Sequence, residues 1–287
     1  MGTDDVQQGW KQGGQGWVAN ERILDAAFAP LTQALVERVA WARGDRVLDV
    51  GCGTGTLLEL GVRDGVEMVG VDVSAAMVEA ARRRVPEATV LEADAGTADL
   101  LEAAPGLPFD HVVSRYGVMF FSDPTTAFDT IRRATRPGAT MTFGCWRSRE
   151  ENPVFTQGLD LLEAALPEPV PHPAPGAPGP TAFADAERLR GVLNAAGWAE
   201  IVIEPFDYAC RYGLDGSDGV EERLAILASN GRGVWGRLQD HVGPERQAEL
   251  LDKVRADLRS RRVDGVVSLP AAAWLVTARN LGVEASD

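Results

Sequence analysis

The sequence predicts an α/β fold built around a parallel sheet, and three observations carry that reading. Apolar, β-type runs alternate with amphipathic helical stretches through the first half of the chain. The first of these runs, Val47-Leu48-Asp49-Val50, enters a turn with glycine on alternate residues, Gly51-Cys52-Gly53-Thr54-Gly55, which opens directly into a helical stretch from Thr56. The second run, from Glu67, ends on an acid, Asp72. In a parallel α/β sheet such an acid emerges at the carboxyl edge, where ligands bind.

Taken in order, the chain begins with a Gln/Gly-rich stretch carrying Trp10 and Trp17, seven residues apart and so on one face if the segment is helical. Helical signals run from Val18 to Phe28, and again from Pro30 through Leu31, Leu35 and Val39. Ser74 is placed to cap a helix over Ala75–Arg84, which Pro86 stops. Further strands are predicted at Thr89 to Ala95, Asp110 to Tyr116 and Thr140 to Trp146, the last entered from a Pro137-Gly138 turn, and Asp123-Pro124 starts the intervening helix. From Glu150 to Pro180 alternate prolines predict a stiff, extended loop, read as a wall of an acceptor pocket. Asp185 caps a helix closed by Gly197, and Ile201 to Tyr212 is a strand that Pro205 assigns to a sheet edge, since proline has no amide to donate. Two amphipathic helices are expected between 213 and 265, then a final apolar strand over Ala271 to Ala278.

The chain has 287 residues and 45% apolar content, enough for one large domain or a domain with a cap. It shows no apolar run near the roughly 18 residues of a membrane span and no signal-peptide pattern at its start, so a cytosolic protein without membrane contact is expected. Cys52, Cys145 and Cys210 are odd in number and scattered, which suits reduced thiols better than disulfides or a zinc site. A net charge of −14 argues against general nucleic-acid binding, leaving a small-molecule substrate as the expected partner. Nothing in the sequence reports the oligomeric state.

With an acid two residues before its first glycine, the turn differs from the dinucleotide fingerprint G-x-G-x-x-G, because a carboxylate there would repel a pyrophosphate. Asp49 and the three glycines instead resemble the first motif, D-x-G-x-G-x-G, of the class I S-adenosylmethionine-dependent methyltransferases. The resemblance covers residues 45 to 146 by motif and 181 to 280 by layout. It implies a Rossmann-like seven-stranded sheet with an antiparallel last strand, helices on both faces and a helical lid insertion. The implied organisation is a single domain with an N-terminal helical arm (1–43), a core of 44–212 and 266–287, and a lid at 213–265.

The same resemblance implies S-adenosyl-L-methionine as cofactor, with no metal. Asp49 would lie close to its methionine moiety, Asp72 at the ribose hydroxyls and Asp94 at the adenine amino group. Gly51, Cys52, Gly53, Gly55, Val73, Met77 and Ala95 would line the same cofactor site. Trp17 would face the sulfonium, though it equally suits a residue that pins the arm to the surface. Arg115, expected at the cofactor, and Tyr116, expected in catalysis, leave the fourth strand where cofactor and acceptor meet, and each also suits a structural role, an ion pair or a core aromatic. Glu21, one helical turn after Trp17, is placed to orient or deprotonate an acceptor, or to be a solvated helix residue. His111 sits at the wrong end of its strand for catalysis, while His172 and His241 lie in segments that could reach the pocket. Three activities fit: methyl transfer to a bulky or aromatic specialised metabolite, a nucleotide-dependent oxidoreductase, and non-catalytic binding of S-adenosylmethionine.

Overall fold

A computed structural model describes residue 9 and residues 14–168, 170, 174–229 and 234–282. Trp10 and His172 therefore lie outside the described residues. Strands β1 (Arg46–Val50), β2 (Glu67–Asp72), β3 (Thr89–Glu92), β4 (Phe109–Arg115) and β5 (Thr135–Trp146) are paired in parallel. β8 (Val266–Arg279) inserts antiparallel between β5 and β6 (Ala199–Arg211), so the order is β3-β2-β1-β4-β5-β8-β6. This is the expected seven-stranded layout with one addition, the two-residue β7 (Arg262–Val263), which pairs with β8 off the main path.

Every residue of β1 is buried, as a central parallel strand requires, and that includes Asp49. The edge assignment from Pro205 holds, because β6 closes one end of the sheet. β5 starts earlier than expected. Its Pro137-Gly138 pair does not precede the strand but interrupts the pairing with β4, where the register slips between Phe109 and His111. The buried Asn280 side chain fills that irregularity, donating to Thr135 Oγ1 at 2.9 Å.

Around the sheet pack α2 (Glu21–Ala27), α3 (Ala29–Val39), α4 (Thr56–Asp64), α5 (Ala75–Arg84), the single turn α6 (Leu100–Ala103), α7 (Pro124–Arg133) and α9 (Ala186–Ala195). Residues 14–19 form a short preceding helix, α1. The Asp123 and Asp185 side chains cap α7 and α9 as predicted, accepting from Thr126 N at 3.1 Å and Glu187 N at 2.9 Å. Ser74 stands at the N-cap of α5, but its hydroxyl makes no cap bond.

Among the described residues, the insertion between β6 and β8 holds three helices rather than two: α10 (Val220–Ser229), α11 (Val234–His241) and α12 (Pro244–Ser260). The eight-residue α11, with Gly236 in its middle, is too short to give a periodic signal. The proline-rich stretch is also less extended than expected, because before its proline cluster it folds into α8 (Leu159–Glu163), which packs against α11 and α12.

Candidate active site

The carboxyl edge of β1, β2 and β4 opens into a cleft enclosing about 1080 Å³ of empty space, part of it continuous with solvent. Of the residues assigned from the sequence to the cofactor or to catalysis, all but one line it: Trp17, Glu21, Asp49, Gly51, Cys52, Gly53, Asp72, Val73, Met77, Asp94, Ala95, Arg115 and Tyr116. The exception is Gly55. It caps α4 in the left-handed region, at φ +89°, and a Cβ there would touch Ala81 of α5 at 3.4 Å and Val85, the C-cap of α5, at 3.5 Å. The left-handed backbone of this cap, not a clash, favours glycine there, and its Cβ position points toward α5. Neither His111 nor His241 lines the cleft, the His111 ring being bound between Thr140 Oγ1 at 2.7 Å and Asp45 Oδ2 at 3.2 Å.

The other two turn glycines have distinct reasons. At Gly51, φ is +68° and a Cβ would stand 2.6 Å from the Gly117 Cα, so the turn is pressed against the backbone leaving β4. At Gly53, φ is +55° and a Cβ would meet no heavy atom within 4 Å. The space beside Gly53 is cleft. Gly51→Ala is therefore expected to unfold or strongly destabilise the protein, while Gly53→Ala strains the backbone by about 1 kcal/mol or more and acts mainly on ligand affinity. Urea titration of both variants checks the contrast, and equal destabilisation would overturn it. Cys52 fills the gap opened by Gly70, whose Cβ would stand 2.8 Å from the thiol sulfur, and burial holds that thiol well above its ordinary pKa. It is a packing residue, not a nucleophile.

Three carboxylates define the electrostatics. Asp72 bridges two loops, Oδ2 accepting from Gly53 N at 3.0 Å and Oδ1 from Ser74 N at 2.9 Å. Burial raises its pKa against these backbone donors, and each oxygen keeps a lone pair for a hydroxyl donor. Asp94 Oδ1 accepts from Gly96 N at 2.8 Å. Asp49 differs from both: it is 2% exposed, and its Oδ1 is buried with no hydrogen-bond partner. Burial pushes its pKa up to about 7, with Arg115 opposing and the charge of Asp72 adding.

Opposite these acids stands a wall that the sequence showed only in part. Leu24, Asp25 and Phe28 of α2 and its C-cap line the cleft together with Phe120 and Phe121. Phe28 meets Tyr116 edge-on at 5.3 Å, and Tyr116 stacks on Trp146 at 3.9 Å. The Tyr116 hydroxyl lies 2.6 Å from that of Tyr208 on β6. Burial raises its pKa well above the usual phenol value, and its backbone sits at φ +65°. Arg115 is not free for a ligand carboxylate. Its guanidinium donates to Asp25 Oδ1 at 3.0 Å, Thr32 Oγ1 at 2.8 Å and Thr56 Oγ1 at 3.1 Å. Asp25 also pairs with Arg84 at 2.7 Å, and Arg84 with Glu59 at 2.9 Å. Burial alone would raise the Asp25 carboxyl, but Arg115, Thr56 and Arg84 together hold it below the ordinary value.

Residues 47–138, from β1 into β5, match the family model for a methyltransferase domain. Over these residues the chain carries a methyltransferase domain that resembles the class I S-adenosylmethionine-dependent enzymes. It is 29% identical over 133 residues to a demethylmenaquinone methyltransferase of Renibacterium salmoninarum, covering 46% of this chain and 54% of that protein. It is 32% identical over 128 residues to an O-methyltransferase of Aspergillus nomiae, covering 42% and 55%. The chain thus spans about half the length of these curated relatives. The solved structure of the YcgJ protein from Bacillus subtilis, 16% identical, superposes with a TM-score of 0.53 over 88% of this chain and 98% of that one, a likeness of fold.

The cofactor of this family is S-adenosylmethionine, and the residues present fit it. A buried carboxylate oxygen without a partner calls for a cationic donor such as an amino group, the open face of Gly53 admits close approach, and Asp72 keeps acceptor capacity for hydroxyls. Among the described residues no cluster of His, Cys, Asp and Glu could hold a metal, and no helix is long and apolar enough to cross a membrane.

Proposed function

We propose that this protein transfers a methyl group from S-adenosylmethionine to a small, largely apolar acceptor with an aromatic ring. The observation that carries the reading is the buried, unpartnered Asp49 oxygen beside the open face of Gly53. In this reading Asp49 receives the cofactor's amino group, Asp72 the ribose hydroxyls and Asp94 the adenine amino group, with Val73, Met77 and Ala95 flanking the base. Trp17 presents an aromatic ring toward a cation. The bound cofactor supplies an electrophilic methyl group on a cationic sulfur, so the chain's own residues need only align the acceptor, keep water out and take up a proton.

The acceptor side is supported by Trp17, Phe28, Tyr116, Phe120 and Phe121, all lining one cleft. Their rings favour a planar apolar molecule over a sugar or an acidic peptide. The net charge of −14 supports an acceptor that is not nucleic acid, and the free thiols Cys52, Cys145 and Cys210 suit a cytoplasmic setting. Tyr116 shapes the wall. Its hydroxyl, paired with Tyr208 and raised in pKa, is not a base at neutral pH. Glu21, which lines the cleft on α2, is the residue placed to accept the acceptor's proton.

Calorimetry with S-adenosylmethionine against NADH tests the cofactor, and binding of NADH alone would favour the oxidoreductase reading. Release of S-adenosylhomocysteine with a panel of aromatic phenols, amines and carbon acids tests turnover. Binding without turnover on any acceptor would point to a non-catalytic protein. Glu21→Gln is expected to lower kcat by roughly 10²-fold or more, as loss of a general base does, while leaving cofactor affinity unchanged. An unchanged kcat would remove Glu21 from the chemistry.

A further inference from the structure

The first described segment, α1 and Asn20, lies across the cleft, and two glycines determine how closely. A Cβ on Gly14 would stand 2.1 Å from Ser74 Oγ and 3.5 Å from Met77 Cγ. A Cβ on Gly16 would stand 2.6 Å from the carbonyl oxygen of Ser229, at the end of α10. One turn of helix is thus wedged between the β2–α5 turn and the helical insertion, in contact with both because two residues lack side chains. Between these two contacts and α2, Trp17 faces the cleft.

The contact at Gly14 touches the machinery directly. Ser74 is fully buried, its hydroxyl has no partner, and its amide donates to Asp72 Oδ1. Asp72 in turn holds Gly53 N. At its other end the segment has a hinge. Asn20 carries non-helical angles, φ −114° and ψ 18°, between α1 and α2, and its side chain donates to Gly16 O at 2.8 Å. Beyond the hinge α2 is fixed by the Asp25 pairs with Arg84 and Arg115. The fold therefore supplies an anchored helix, a hinge and a short element seated by close packing on both sides of a cleft. Among the described residues, none of 213–265 lines the cleft itself. The insertion reaches it through Gly16.

We propose that residues 14–20 are a strap that closes over bound cofactor, seated between Ser74 and Ser229, and that its opening at Asn20 sets the rate at which the demethylated cofactor leaves. This rests on the reading of the cleft as a site for S-adenosylmethionine. Binding is then ordered, the cofactor entering before the strap closes and the acceptor meeting a wall in which the strap's Trp17 joins Glu21 of the fixed α2.

The test is the dissociation rate of S-adenosylhomocysteine, chased with excess S-adenosylmethionine, in the wild type, Gly16→Ala and Gly14→Ala. Both substitutions place a better helix former in α1, so faster release cannot come from a weakened helix. The expected result is release at least tenfold faster in both variants, with thermal stability of the free protein unchanged. Acceleration by Gly14→Ala alone would reduce the contact to a local prop under Ser74 and overturn the strap, as would an unchanged rate in both. Failure of the wild type to bind either S-adenosyl compound would instead overturn the reading of the cleft, and the strap with it.

Discussion

Asp25→Ala is expected to cost about 2 to 3 kcal/mol of stability, below the roughly 3 to 5 kcal/mol of a fully buried pair because the partners keep other acceptors. Its carboxylate is shared by two arginines, and the three side chains are 14 to 24% exposed. Removing it leaves Arg115 with only Thr32 and Thr56, and Arg84 with Glu59 and Thr56. The loss reaches function because α2 carries Glu21 and Leu24 into the cleft, with Phe28 at its end. The acceptor's KM should rise while cofactor affinity changes less. Since the Asp25 pKa is lowered from 3.8, its contribution is fully present above that value and disappears as pH falls through the native one. Asp25→Asn should fall between the wild type and Asp25→Ala. Urea titrations at pH 7 giving a loss under about 1 kcal/mol would show that the cluster behaves as exposed surface pairs do.

What the sequence revealed and what it hid divide along this line. The carboxyl-edge side of the cleft, where the proposed function places the cofactor, is made by residues adjacent in sequence to strand ends, where backbone geometry dictates residue type, so Asp49, Gly51, Gly53 and Asp72 stand out without a structure. Gly55 is not set apart from them in the sequence, because an alternating glycine looks the same whether it faces the cleft or forms a left-handed helix cap. The facing wall, which the proposed function assigns to the acceptor, is made by contacts far apart in sequence, such as Asp25 with Arg115 and Tyr116 with Tyr208. Asp25 alone reads as an ordinary helix acid, and Arg115 as a residue facing ligand. Only the folded chain shows that they neutralise each other. The same holds for Gly14 and Gly16, which in a Gln/Gly-rich stretch look like linker composition and in the fold are contact points.

Asp49→Asn is expected to weaken cofactor binding and to stabilise the free protein, two effects of opposite sign from one carboxylate. In the free protein Asp49 has its pKa raised from 3.8 to about 7. The folded state therefore holds a proton that the unfolded state has lost, and across that window this group makes folding less favourable as pH rises. Its stabilising effect is complete below 3.8 and gone above about 7. Asparagine carries no charge to bury, so above pH 7 the variant should unfold at higher urea than the wild type. Binding runs the other way. A cationic amino group beside the carboxylate favours its ionised form, so below pH 7 cofactor uptake should expel a proton, and affinity should fall by up to tenfold per pH unit. Removing one partner of a buried charge pair costs about 2 to 5 kcal/mol, or roughly 30-fold or more in affinity. Calorimetry at pH 6 in two buffers of different ionisation enthalpy reads the proton directly: close to one released by the wild type and none by Asp49→Asn. Equal heats for the wild type in both buffers, with unchanged affinity in the variant, would mean that the cofactor's amino group lies elsewhere and that Asp49 is buried for the fold alone.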